Sequence, residues 1–329
     1  IFKNNMRPPI DIDSVPIPDW DLFEPGSLYR PMQGKIWRAV GFETQRGCPY
    51  TCTFCNSPSN NVEYKAETGG KFHRKKSIKR MKKELDFLVK KYDPNLIYFV
   101  VDTFLAMSNR EFDELKELYS DYKIPFWMNT RAETINEYRA AGLAEMNMLR
   151  MNIGIEHGNY EYRRNYLKRN VKNEVQIRAF QIAAEHDYAS CANSIIGMPD
   201  ETRDLIFDTI NFVRELPDSI DATGAFIFAP YHGTPLRDLA IRKGYINDDE
   251  ICSLSNTSES MLRMPTITKS EIQGLAKTFS LYTKFPKERW PEIKIAESDS
   301  AEGTKMMEKL GKEFDSTYRQ FPKGTDLHD

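Results

Sequence analysis

The sequence predicts an α/β protein built on a parallel sheet with its helices outside. Six short apolar runs alternate with amphipathic segments between residues 36 and 243. One run, NLIYFVVD (95–102), is almost wholly apolar, as expected of a strand buried on both faces. The chain has 329 residues, 40% of them hydrophobic, which suffices for one large α/β barrel. This rhythm fits a doubly wound sheet and a barrel equally well.

Residues 1–34 hold Pro8, Pro9, Pro16, Pro18, Pro25 and Pro31 without periodicity and read as an extended lead-in. IWRAVGFET (36–44) is the first strand, followed by the loop QRGCPYTCTFCNSPSNN (45–61). Ser77 then caps a helix whose stripe is Ile78, Met81, Leu85, Leu88, Val89 and Tyr92. Its lysine-rich opposite face reads as solvated surface. After the strand at 95–102 comes a helix over 109–122. The strand IPFWMNT (124–130) precedes a helix over 133–141, and MLRMNIGIE (148–156) precedes helices over 160–167 and 173–186. YASCANSIIG (188–197) leads to a helix over 201–216, and ATGAFIFAP (222–230) to a shorter one over 236–243. These units define a core over 35–245. Residues 246–329 read as a mostly helical extension, with helices expected over 269–282 and 301–318.

The 46 Lys+Arg nearly balance the 48 Asp+Glu, for a net charge of −2, which argues against a general nucleic-acid binder. The longest apolar candidate, LIYFVVDTFLAM, is interrupted by Asp102 and falls short of the roughly 18 residues of a membrane span. No signal-peptide pattern opens the sequence. It starts at Ile1 in a polar, proline-rich stretch, as a segment of a longer protein would. Five cysteines, three of them within eight positions, point to a reducing compartment and to metal rather than disulfides. The cytoplasm is the expected location.

Cys48, Cys52 and Cys55 stand in C-x3-C-x2-C spacing directly after a strand. Three thiolates on one loop hold three corners of a cubic iron–sulfur cluster and leave the fourth iron open to a ligand. The alternative is a zinc site completed by His73. Structural zinc, however, usually takes its four ligands as two separated couples, and no second couple follows. Three unrelated buried thiols are the remaining reading. Cys191 lies inside a strand and reads as a small buried hydrophobe. Cys252 receives no role.

The C-x3-C-x-aromatic-C pattern, with Phe54 as its aromatic residue, resembles that of the radical S-adenosylmethionine (SAM) enzymes. The resemblance spans about residues 37–240. It implies a partial (β/α)6 barrel, open on one side, with a 4Fe–4S cluster at the top and SAM chelated to the open iron. It further implies reductive cleavage of SAM to a 5′-deoxyadenosyl radical that abstracts hydrogen from a substrate. An external reductant such as flavodoxin or ferredoxin would supply the electron. The substrate, a small molecule or a peptide, is not legible.

Further matches lie at strand ends, where barrel enzymes keep their sites. Asp102 stands where the family carries Gly-Gly-Glu, with both glycines missing; otherwise it reads as a helix cap. Arg131 after the third strand either forks onto the SAM carboxylate or pairs with Glu133. Glu156, in GIEHG, resembles the Gly-x-Glu-x-Gly element that reaches SAM. SIIGMPDET resembles the fifth-strand motif, in which Ile195, Gly197 and Met198 take the adenine-side places. Tyr231 and His232, in FAPYHGTPL, are the substrate-side candidates.

The lead-in DIDSVPIPDWDLF, together with GCPYTCTFC, VVDTF, GIEHG and SIIGMPDET, resembles the cobalamin-associated branch, which includes C-methyltransferases and a tetrapyrrole ring cyclase. No cobalamin-binding domain lies in these residues, so cobalamin use stays open. The methylthiotransferase branch ranks second, because its upstream three-cysteine domain and β-rich tail are missing here. A zinc-stabilised binding module is the non-enzymatic alternative.

Overall fold

The computed structural model describes residues 4–186, 188–252 and 259–318. Parts of the expected lead-in and C-terminal extension lie outside these residues. Strands β1 (Tyr29–Met32) and β2 (Lys35–Phe42) form a tight hairpin. Its two turn residues, Gln33 and Gly34, are both left-handed (φ 53° and 71°), the geometry that matches the twist of paired strands. A small ladder, β3 (Gln45–Arg46) with β4 (Arg74–Lys75), closes off the cysteine loop and helix α1 (Ser57–Thr68).

Then follow α2 (Ile78–Tyr92), β5 (Leu96–Phe99), α3 (Asn109–Tyr119), β6 (Phe126–Arg131), α4 (Glu137–Glu145) and β7 (Met148–Glu156). Helices α5 (Tyr160–Asn165) and α6 (Asn173–Glu185), β8 (Ala189–Ile196), α7 (Arg203–Arg214), β9 (Ile220–Ile227) and α8 (Pro235–Arg242) complete the alternation. Helices α9 (Lys269–Lys284), α10 (Trp290–Ala296) and α11 (Ala301–Thr317) form the end of the described chain.

The large sheet runs β1-β2-β5-β6-β7-β8-β9. From β2 onward every pairing is parallel and the strands keep their chain order. A doubly wound sheet needs a reversal of strand order. Its absence settles the ambiguity left by the sequence in favour of a singly wound, partial barrel. The sheet ends at the β1 and β9 edges.

Odd and even strand residues divide the barrel into two faces. Phe42, Phe99, Met128, Met151, Ile153 and Ile155 are fully buried on the helix side. Phe99 is the hub of an aromatic cluster, with ring centroids 4.7 Å from Phe104, 5.1 Å from Phe126 and 5.6 Å from Phe42. The other face of β5–β9 lines the cleft described below.

The structure adds elements that the pattern did not show. Tyr29–Met32, within the proline-rich lead-in, pairs antiparallel as an edge strand, where a proline costs no ladder bond that matters. Helix α1 has no apolar stripe to read. It is pinned by Ser57, whose Oγ accepts the Cys48 N–H at 3.1 Å, and by Ser59, which donates to the Gly233 carbonyl. Helix α9 packs on β9 and α7, supplying the outer cover that the short α8 does not.

Gly158 sits where a Cβ would stand 2.5 Å from Thr209 Cα and 2.6 Å from the Asp208 carbonyl, both backbone of α7. Backbone cannot swing aside as a side chain can. Gly158→Ala is therefore expected to lower unfolding stability by about 1–3 kcal/mol, the usual cost of overpacking. Urea titration of the two proteins checks this, and an unchanged midpoint would contradict the packing.

Candidate active site

A cleft of about 750 Å³ opens at the carboxyl ends of the parallel strands. That is where barrel enzymes place their chemistry, and the volume suits a small-molecule ligand. Cys48, Cys52 and Cys55 all line it, as do Phe54 and Asp102. The Cys48 sulfur lies 3.6 Å from Thr103 Oγ1, and the Ser57 N–H donates to Cys55 Sγ at 3.4 Å. Burial pushes the Cys55 thiol up to about 11 and also raises Cys52. Arg131 opposes the rise at Cys52, donating from Nη1 to its sulfur at 3.0 Å. Buried thiols of this kind become thiolates only beside positive charge, which a bound metal supplies.

Among the described residues, no group of three or more His, Cys, Asp or Glu side chains is drawn into a preformed metal cage. The fit to a cluster rests on the donor set instead: three thiols on one short loop, all facing one cleft. His73, the zinc alternative, lines a separate depression on the other side of the loop. Its Nε2 lies 3.2 Å from Gln45 Oε1.

A strip of alternating charge crosses the rim. Arg131 pairs with Glu133 at 2.5 Å, Glu133 lies 3.7 Å from Arg169, and Arg169 donates to Glu156 Oε1 at 2.6 Å. The sequence reading offered Arg131 either a ligand or Glu133; it holds Glu133 and a cysteine, and stacks on Tyr50 at 3.9 Å. Arg169 escaped the sequence reading. It is almost fully buried, lines the cleft and donates also to the Gly154 carbonyl at 2.6 Å. In sequence it is one of several basic residues after α5, beside Lys168, and nothing marks it out from them.

Glu156 carries a left-handed backbone (φ 64°) beside a register shift between Gly154 and Glu156. A bulge at a strand end re-aims a side chain, and here it turns the carboxylate onto the cleft wall. A Cβ on Gly154 would collide with that carboxylate, which explains the Gly-x-Glu spacing. The next residue, His157, is fully buried and bonds Glu201 at 3.0 Å. The other Glu201 oxygen accepts the N–H groups of Gly197 and Met198. This pair ties the end of β7 to the turn after β8.

Asp102 lines the cleft near the cysteines, its carboxyl raised by burial and by nearby Glu43. Ile195 and Tyr231 also line it. Three expected residues are not brought there. Met198 is fully buried in the core, and Gly197, at φ 77°, faces Ile272 of α9, whose Cγ2 would stand 2.9 Å from a Cβ. Neither residue lines the cleft. The turn after Ile196 carries the chain away from the cleft, so Ile195 alone of that motif faces it. His232 is exposed and outside the cleft, unlike its neighbour Tyr231. His232→Ala should accordingly leave SAM cleavage within about twofold of wild type, in line with surface substitutions generally. Quantifying 5′-deoxyadenosine checks this, and a tenfold loss would return His232 to the site.

The Radical SAM superfamily model matches residues 42–213. A methyltransferase of Pyrococcus horikoshii, named Uncharacterized methyltransferase PH0819, is 31% identical over 232 residues, covering 70% of this chain and 47% of the relative. The anaerobic magnesium-protoporphyrin IX monomethyl ester cyclase of Rubrivivax gelatinosus is 26% identical over 254 residues, covering 73% of this chain and 40% of the relative. The chain thus spans less than half the length of either. In fold, the radical SAM methyltransferase TsrM of Kitasatospora setae, solved with cobalamin and a [4Fe–4S] cluster, superposes with TM-score 0.53 at 14% identity. That match covers 84% of this chain and 61% of TsrM. Among the described residues no helix is long and apolar enough to cross a membrane. With the family pattern matched from the end of β2 to α7, and the cysteine loop opening on the cleft, this chain belongs to the radical SAM superfamily, whose members use a 4Fe–4S cluster and SAM.

Proposed function

We propose that Cys48, Cys52 and Cys55 hold the 4Fe–4S cluster and that SAM occupies the cleft beside it. The observation that supports this is the convergence of three thiols with Arg131, Arg169 and Glu156 on one cleft, where Arg169 is paired with Glu156. When bound, the reduced cluster and SAM supply the 5′-deoxyadenosyl radical that takes hydrogen from the substrate. The chain's own residues do the positioning. Glu156 and Asp102 are acceptors matched to the ammonium group and ribose hydroxyls of SAM. Arg169 holds Glu156 in its bulged conformation, and Arg131 offers positive charge between the cysteine loop and the site of a carboxylate. Phe54, Ile195 and Tyr231 form apolar wall, which excludes water from a reactive site.

Residues 35–245 form the catalytic core in this reading, and a reducing compartment, the cytoplasm, keeps the thiols competent. Methyl transfer to carbon is the favoured reaction, supported by similarity to a named methyltransferase; ring cyclisation is the alternative suggested by the cyclase relative. Turnover of reconstituted, reduced protein with SAM tests the reading. 5′-Deoxyadenosine is expected, and S-adenosylhomocysteine beside it would add methyl transfer. A protein that reconstitutes with iron yet forms neither product would overturn the proposal.

A further inference from the structure

The charged residues that line the cleft, Glu43, Arg46, Asp102, Arg131, Glu156 and Arg169, all stand at a strand end or beyond it. Deeper in the cleft the lining is uncharged. Asn129 lies two residues before Arg131 on β6, about 7 Å lower at the usual strand rise. Asn152 stands directly opposite it on β7, and the Tyr98 hydroxyl reaches it from β5. Val100, one residue past β5, lines the same cleft and is 47% exposed. The cofactor reading above uses none of these residues.

The three polar side chains of this floor are joined in one direction. Asn152 Nδ2 donates to Asn129 Oδ1 at 2.9 Å, and Asn129 Nδ2 donates to the Tyr98 hydroxyl at 3.0 Å. The present order leaves only the Asn152 oxygen buried without a partner. Turning both amides over would leave its NH2 there instead, with two donors unpaired. Successive donors in one direction polarise one another, which makes the Tyr98 O–H the stronger donor. Its ring is fixed by stacking on Trp127, with centroids 4.3 Å apart and planes at 23°. Yet among the described residues nothing accepts the Tyr98 proton. A relay that served the fold alone would end on an acceptor. This one ends on a donor, on a half-buried side chain that lines the cleft.

We infer that Tyr98 is a specificity-determining residue for the substrate, its hydroxyl donating to a neutral carbonyl oxygen on a flat, apolar molecule that lies against Val100. This rests on the radical SAM reading of the cleft and extends it to the class of substrate. The unpaired group is a donor, so the ligand atom is an acceptor. Among the described residues no cation lines the floor below Arg131, so nothing there offsets the cost of desolvating a carboxylate. The exposed apolar side chain beside the donor suits a hydrocarbon or aromatic body. With its carbonyl at the floor, the other end of the molecule lies toward the rim and the cysteine loop.

The probe is 1-tetralone, a neutral bicyclic ketone, with 1-naphthoate as its anionic counterpart. Saturation-transfer NMR titrations of the reconstituted protein give both affinities, and circular dichroism is the folding control. Tyr98→Phe keeps the ring on Trp127 and removes the donor. Asn129→Asp keeps the side-chain size and offers the Tyr98 proton an acceptor inside the relay, which turns that proton away from the ligand. Each variant should bind the ketone about three- to tenfold more weakly than wild type, the effect of one neutral hydrogen bond. Wild type should prefer the ketone to the naphthoate. Equal ketone affinity in wild type and both variants, or no ketone binding by wild type, would overturn the inference. Tighter binding of the naphthoate, weakened in Tyr98→Phe, would overturn it in favour of an anionic substrate. Titration of SAM into reduced wild type, followed by electron paramagnetic resonance, keeps the underlying reading separate. Ketone binding that depends on Tyr98 in a protein that binds iron but no SAM would overturn the cofactor reading, and with it the place of Tyr98 in the reaction.

Discussion

Replacing Cys48, Cys52 or Cys55 singly with Ala is expected to abolish SAM cleavage and strip the protein of most of its iron. Each sulfur holds one corner of the proposed cluster, and a cluster left with two protein ligands has no third anchor on this wall. The fold should survive, because the loop contributes little to the hydrophobic core. Phe99 and its aromatic neighbours, and the strand ladders from β2 to β9, lie outside it. Cys191→Ala and Cys252→Ala should keep full iron. Cys191 is buried in β8, its thiol donating to Asn193 Oδ1 at 3.2 Å, and Cys252 lies beyond α8. Iron analysis and visible absorbance after anaerobic reconstitution decide the matter, with circular dichroism as the folding control. If Cys191 proved as necessary for iron as the loop cysteines, the ligand assignment would be wrong.

Glu156→Gln should leave iron and colour intact and weaken SAM binding by about 10- to 150-fold. The figure follows from the roughly 1.5–3 kcal/mol of a charge-assisted hydrogen bond, at about 1.4 kcal/mol per factor of ten. Gln keeps the size of the side chain and an acceptor for Arg169, so the bulge and the Gly154 gap remain occupied. What disappears is the negative charge offered to the SAM ammonium group. Asp102→Asn tests the neighbouring carboxylate in the same way. Titration of SAM into the reduced cluster, followed by electron paramagnetic resonance, gives the affinities. Wild-type affinity in both variants would remove the two carboxylates from the cofactor site.

Local pattern in the sequence was enough for most of the sheet and for the cysteine loop. Leu96–Phe99 is apolar on both faces, so its strand was visible without knowing its neighbours. The Ile78–Tyr92 helix announced itself by its stripe and its Ser77 cap. The three thiols stood out by their spacing within eight positions of one loop. Helix α1 and edge strand β1 were not, because polar helices and proline-bearing edges carry no apolar period, and tertiary hydrogen bonds hold them instead.

The site divides along the same line. Sequence by itself singled out Cys48, Cys52, Cys55, Asp102 and Glu156 by their own chemistry, and all five line the cleft. Only tertiary structure decided whether six β–α units wind once or twice, since strand order is a matter of pairing between segments far apart in sequence. It alone brought Arg169 onto Glu156, thirteen residues away, and joined His157 to Glu201 across two strand ends. It also placed Gly197 against Ile272 and Met198 in the core, just past Ile195, which lines the cleft. A motif fixes which residues are near one another along the chain. Which way each side chain points is set by the turn that ends the strand, and that turn is held by partners the motif does not contain.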